Sequence, residues 1–192
     1  ALTYWCWKGL LTHVQFVLDR CDYKVKSSYP GMTPVTAAVR KQDYSVLRLL
    51  LRYFGKDTDI ANIKEGNTGM TPLALACYSI GAVIDPTDCV KLLLRNGADV
   101  NESVGEGKVT PLMFAVLRKM RWCPRMVSYL VEHGADIDAK NVNGETAIDI
   151  AHELKLRDVS DMLVAAKTKN FQTVKFGHLI DRPNFPVNDK EA

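Results

Sequence analysis

Long apolar runs are missing from this chain. No stretch approaches the about 18 residues that a membrane-spanning helix needs, and no charged-then-apolar leader opens it. Insertion into a bilayer by this stretch is therefore not expected. Charge of one sign is also scarce in bulk: 25 Lys and Arg stand against 22 Asp and Glu, a net of +3, which is too weak to argue for nucleic acid. Paired metal ligands are lacking as well. The five cysteines, Cys6, Cys21, Cys77, Cys89 and Cys123, are odd in number, include no C-x-x-C pair, and have no histidine at zinc-ligand spacing. Free buried thiols in a reducing cytoplasm are favoured over disulfides or a metal.

The signatures of catalysis are absent too. There is no Walker loop, no G-x-G-x-x-G, no G-x-S-x-G and no H-E-x-x-H. The histidines, His13, His133, His152 and His178, are scattered, with no nucleophile and base grouped about them. The acids of "KDTDIAN" and "DPTDC" fall short of the ligand set of a calcium loop and read as solvated loop charges. Neither an enzyme nor a bound cofactor or metal is expected.

What the chain does have is 47% hydrophobic residues over 192 positions, enough for one continuous core, and a pattern that repeats. "MTPVTAAV" at Met32, "MTPLALAC" at Met70, "VTPLMFAV" at Val109 and "ETAIDIAH" at Glu145 are four copies of one segment, and "LTYWCWKGLLTHVQFVL" from Leu2 is a fifth without its front edge. Each of the four is followed by an apolar triplet, the last of them Met162, Leu163 and Val164. Two triplets run into glycine turns, "RNGADVN" and "EHGADID".

The local physics is that of paired helices. Thr33, Thr71, Thr110 and Thr146 stand where a hydroxyl caps a helix, and Pro34, Pro72 and Pro111 follow at the first helical position, where a missing N–H costs nothing. Ala38, Ala76, Ala115 and Ala151 allow close helix approach. Gly97 and Gly134 suit the left-handed residue that ends a second helix.

These motifs resemble the ankyrin family, whose repeat is about 33 residues long with a T-P-L-H-x-A core. The resemblance implies an all-α solenoid of about five helix-turn-helix repeats joined by β-hairpin-like turns. The repeats fall near residues 1–28, 29–66, 67–105, 106–141 and 142–166, and a tail or linker follows at 167–192. Opening at Ala1, already inside a helical pattern, the chain reads as an excised fragment. Ala76, Cys77 and the later "CVKLLLRNGADVN" are further similar to the array of the GASZ germ-cell scaffolds, with ankyrin, SAM and leucine-zipper regions. That likeness implies a piRNA-pathway scaffold at mitochondria.

Three insertions break the period. "YFGKDTDIANIKEGN" is expected to form an enlarged polar finger at the edge of the stack, and "CYSIGAVIDPTDCV" separates the two helices of the third repeat. "LRKMRWCPRMV" crowds Arg118, Lys119, Arg121 and Arg125 without an acid beside Trp122.

The ankyrin resemblance also implies a concave binding face, built from the turns ahead of T-P-L and the ends of the first helices. Carried over repeat by repeat, it selects Trp7, Lys8, Tyr29, Met32, Arg40, Lys41, Met70, Tyr78, Val109, Leu117 and Arg118 as partner-binding, with acids such as Glu145 and Glu153 in the last repeat. Aromatics, Met and Arg are the residue types of interface hot spots. The expectation is a monomeric, cytoplasmic, non-catalytic scaffold holding a protein segment that is apolar with acidic flanks. Two alternatives stand beside it. One is a nucleic-acid-associated scaffold, in which Trp122 stacks on a base amid the basic loop; the small net charge weighs against it. The other is the regulatory or targeting domain of a larger enzyme.

Overall fold

The computed structural model describes residues 2–20, 31–55, 59–78, 85–119 and 122–168. They form helices in pairs: α1 (Leu2–Lys8) with α2 (Leu11–Arg20), α3 (Pro34–Lys41) with α4 (Tyr44–Phe54), α5 (Pro72–Tyr78) with α6 (Thr87–Arg95), α7 (Pro111–Leu117) with α8 (Cys123–Glu132), and α9 (Ala147–Glu153) with α10 (Arg157–Thr168). The first helices pack on one another in chain order, and so do the second helices, giving an inner row and an outer row. Each pair touches chiefly its neighbours, the arrangement of a solenoid.

The threonines cap as their positions predict. The hydroxyls of Thr33, Thr71, Thr110 and Thr146 accept from the backbone N–H three residues on, at 3.1, 3.1, 3.3 and 3.3 Å. At Thr33 and Thr146 the third residue, Thr36 or Asp149, bonds back to the cap N–H and closes a capping box. The Asp149 carboxyl is held below its usual range, first by the Thr146 hydroxyl and then by its N–H.

Behind each cap, Ala38, Ala76, Ala115 and Ala151 are buried where inner helices meet, and Leu50, Leu93, Leu130 and Leu163 fill the space between the rows. Val164, in the last triplet, is 40% exposed, because no further repeat among the described residues covers its side of α10.

Turn-to-turn contacts tie the layers together. Gly66 N–H donates to Gly31 C=O at 2.7 Å, and Val142 N–H donates to Gly107 C=O at 2.9 Å. Gly31 has φ +70° and lies so close to the next turn that a Cβ there would meet the Asn67 backbone nitrogen at 2.6 Å. Asparagine side chains form a second ladder: Asn62 donates to Gly97 C=O at 2.9 Å and accepts from Asp99 N–H at 2.7 Å. Asn101 repeats this on Gly134 and Asp136 at 3.0 and 2.8 Å. Hairpin pairing among the described residues is slight, a single antiparallel bridge between Val104 and Val109.

The first insertion corrects an expectation. The segment read as a polar finger carries a 3-10 turn, Ile60–Asn62, whose Ile60 and Ala61 are buried against α4 and α5. Ile60 and Ala61 are enough to fold this short turn against the core.

Candidate functional site

The ends of the inner helices and the turns ahead of them bring most of the selected residues onto one side of the array. Trp7 ends α1 and is 38% exposed; Lys41, at the end of α3 one repeat later, sets its Nζ 4.5 Å from the Trp7 ring centroid. Lys8 lies 5.7 Å above Tyr4 in the same way. Thr3, Tyr4, Trp7, Lys8 and half-buried Met32 line a cleft of about 380 Å³.

The arrangement recurs further along. Tyr78 ends α5, meets the edge of Phe114 at 5.4 Å, and carries the Arg118 guanidinium 5.0 Å above its ring. Arg118 follows α7, so here too a cation reaches back to an aromatic ring of the preceding repeat. Its Nε is buried without a hydrogen-bond partner. Leu117 beside it is 42% exposed. A cation over a ring face is held by the ring quadrupole while its N–H edges stay available to an acid.

Other selected residues land differently. Met70 is 8% exposed and belongs to the core: its C=O accepts from Glu65 N–H at 2.9 Å, which closes the turn and folds the side chain inward. It is withdrawn from the surface. Val109 is half-buried against the core, bridged to Val104. Tyr29 lies outside the described residues, as do Cys21, Ser79 and Arg121.

Arg40 is present on this side but already occupied. Its Nε and Nη2 donate to the two carboxylate oxygens of Glu65 at 3.0 and 2.6 Å, and Thr68 adds a hydroxyl donor at 2.7 Å. Burial pushes the Glu65 carboxyl up, but the Arg40 and Thr68 hydrogen bonds outweigh it and hold it below its ordinary value. Sequence reasoning missed Glu65. Its partner is 25 residues away, and nothing local distinguishes it from the other polar residues of the insertion.

The basic loop before α8 is also corrected. Trp122 is 7% exposed and so offers no stacking platform, and Arg125 does have an acid, Asp85 of the preceding insertion, at 3.4 Å. The nucleic-acid alternative loses the aromatic it rested on.

Chemistry at sulfur is suppressed. Burial pushes the thiols of Cys6, Cys89 and Cys123 up to about 12 and raises that of Cys77 further, so thiolates are scarce at neutral pH. All four are free.

A solenoid of helix pairs with Thr-Pro caps, glycine turns and a ladder of turn-to-turn bonds is a repeat scaffold. The sequence matches the family description "Ankyrin repeats (3 copies)" over residues 2–104 and again over 81–175, and the chain belongs to the ankyrin-repeat family. It is similar to human ankyrin repeat and SOCS box protein 16, 34% identical over 63% of this chain and 24% of that protein. The putative palmitoyltransferase ZDHHC13 of Danio rerio is 32% identical over 83% of this chain and 23% of its own length. Human palmitoyltransferase ZDHHC17 is 40% identical over 44% and 12%. The chain thus spans about a quarter or less of these relatives. None of the three is a GASZ scaffold, and that likeness still rests on one repeat. Ankyrin repeats are generally protein-interaction modules and not catalytic folds. Among the described residues no helix is long and apolar enough to cross a membrane.

Proposed function

We propose that the inner-helix ends and their turns, the concave face in the family resemblance, hold a partner protein segment that is apolar with acidic flanks. One observation carries this reading: Lys8, Lys41 and Arg118 each lie over an aromatic ring and have no acid partner among the described residues. Arg40 and Lys64, by contrast, are neutralised by Glu65 and Glu102. A cation left unpaired beside exposed Trp7 and Leu117 offers both apolar area and a charge for a carboxylate. The protein acts in this reading as a monomeric, cytoplasmic, non-catalytic scaffold, with the array over residues 1–166 and the tail outside it.

The test is affinity purification with the whole chain. Lys41→Glu with Arg118→Glu is expected to lose partners that the wild type retains, with the fold intact by circular dichroism. Retention of every partner by that variant would put the binding face elsewhere.

A second reading has support from the relatives. Two of those named are palmitoyltransferases, which the chain resembles over 23% or less of their length. Under it the array is the targeting part of a larger enzyme, and its partner is a substrate protein. Extending the chain at both ends and assaying S-acylation of a protein captured by the array tests it; capture without acylation would leave only the scaffold.

A further inference from the structure

The outer row carries a second surface that the concave-face reading does not use. Between α2 and α4 runs a groove of about 510 Å³, with Leu11, Tyr44 and Leu49 giving it apolar area and Arg48 and Arg52 along one side. Leu11 and Tyr44 are each 40% exposed, and Phe16 on α2 is 56% exposed. Further along the same row Lys91 pairs with Asp88 at 3.3 Å, and Arg125 with Asp85 at 3.4 Å. Arg48 and Arg52 have no acid partner among the described residues. Asp19 and Asp43, the acids of this helix pair, are engaged by Gln15 and by the Val46 N–H. The groove is therefore apolar inside and cationic along one edge.

Shape and backbone chemistry narrow the occupant. Both walls are helices, whose N–H and C=O groups are used internally, so the groove offers no strand edge to an extended peptide. A helical occupant satisfies its own backbone and brings only side chains. Tyr44, Arg48 and Arg52 follow one another at i, i+4 and i+8, a column about 12 Å long at 1.5 Å per residue. Carboxylates one turn apart on an aligned helix have the same pitch as the two arginines.

We propose that the α2–α4 groove docks one amphipathic helix of a partner protein, its leucine- or phenylalanine-type side chains against Leu11 and Leu49 and two carboxylates, four residues apart, on Arg48 and Arg52. The occupant seats by ridges in grooves, as a third helix would on two. Because the arginines stand at the edge, they set charge selectivity and orientation, while the apolar contact supplies area.

The probe is a fluorescein-labelled synthetic helix about four turns long, with leucines on one face and glutamates at i and i+4 beside them. Its counterpart carries lysine for both glutamates. Anisotropy titration of the whole chain is expected to show saturable binding of the glutamate helix and binding about ten-fold weaker, or none, for the lysine helix. Arg48→Glu with Arg52→Glu reverses that order. These side chains are exposed, and circular dichroism verifies the fold. Lys41→Glu with Arg118→Glu, on the other face, leaves the affinity unchanged, which separates this groove from the concave site. Equal binding of both probe helices, no saturable binding, or loss only in the Lys41 and Arg118 variant would each overturn the proposal.

Discussion

Replacing Arg40 by Met isolates one charge at the junction of two repeats. The Arg40 head is 34% exposed, while the Glu65 side chain that it clamps is 3% exposed. Methionine keeps the apolar stem and deletes the two donors at 3.0 and 2.6 Å, so Glu65 is left with the Thr68 hydroxyl alone. A buried carboxylate stripped of its cation costs about 3–5 kcal/mol, and partial solvent access on the arginine side favours the lower end. At about 2–4 °C per kcal/mol for a chain of this size, a loss of about 3 kcal/mol lowers Tm by about 6–12 °C. Glu65→Gln is milder, because an exposed guanidinium finds water more readily than a buried carboxylate does.

The pH dependence distinguishes this mechanism from simple loss of packing. In the wild type the folded Glu65 carboxyl lies below its unfolded value, so its contribution is present above the unfolded value of about 4.3 and is lost as pH falls through the folded one. In Arg40→Met the burial that raises the carboxyl is opposed by Thr68 alone, and the folded value moves above the unfolded one. The variant then gains relative stability as the acid is protonated. Thermal melts at pH 7 and near pH 4 should therefore show the gap between the two proteins closing with acid. A gap that stays constant or widens would refute the assignment of the cost to an unpaired carboxylate.

Asn101→Ala removes the bonds to Gly134 and Asp136 and should cost about 1 kcal/mol, since water reaches the freed groups; urea melts check it, and Asn62→Ala should match. Leu93→Ala, at a fully buried outer-row position, should cost about 3–4 kcal/mol, whereas Val164→Ala, at the exposed third position of the last triplet, should cost under about 0.5 kcal/mol by the same melts. Maleimide at pH 7 should leave Cys6, Cys77, Cys89 and Cys123 unmodified until denaturant is added, because burial keeps all four as thiols; peptide mapping that finds them labelled in the native protein would contradict this.

The features legible in the sequence are those whose physics is local. A threonine caps its helix through an N–H three residues away, so Thr33, Thr71, Thr110 and Thr146 are readable from the chain alone. Gly97 and Gly134 take φ of 84° and 86° because a second helix has just ended there. Orientation across repeats is less legible. Met70 and Met32 hold the same place before Thr-Pro, yet Met70 turns inward where Glu65 N–H closes its turn, and Met32 stays half-exposed beside the Trp7 cleft. Trp122 looked available because its neighbours in sequence are basic, but it packs in three dimensions against the core. Insertion lengths shift register, and a register shift changes which side chains meet without changing the motif.

The two halves of the candidate face stand on opposite sides of the Arg40–Glu65 junction. Trp7 with Lys41 belongs to the first two repeats, and Tyr78 with Arg118 to the third and fourth. In a solenoid, stability is a sum of repeat and neighbour terms, so a weakened junction lets one side open while the other holds. A partner that spans both aromatic–cation pairs benefits from a junction that keeps them at fixed separation, since it then need not supply the ordering cost itself. A nearly buried carboxylate, with all the expense of desolvating it, sits where these repeats meet, beside the Asn62 and Lys64 side chains that also reach the third repeat. The Gly31–Gly66 bond fixes how closely the two turns approach, and the bidentate guanidinium fixes their relative orientation, which apolar packing alone leaves softer.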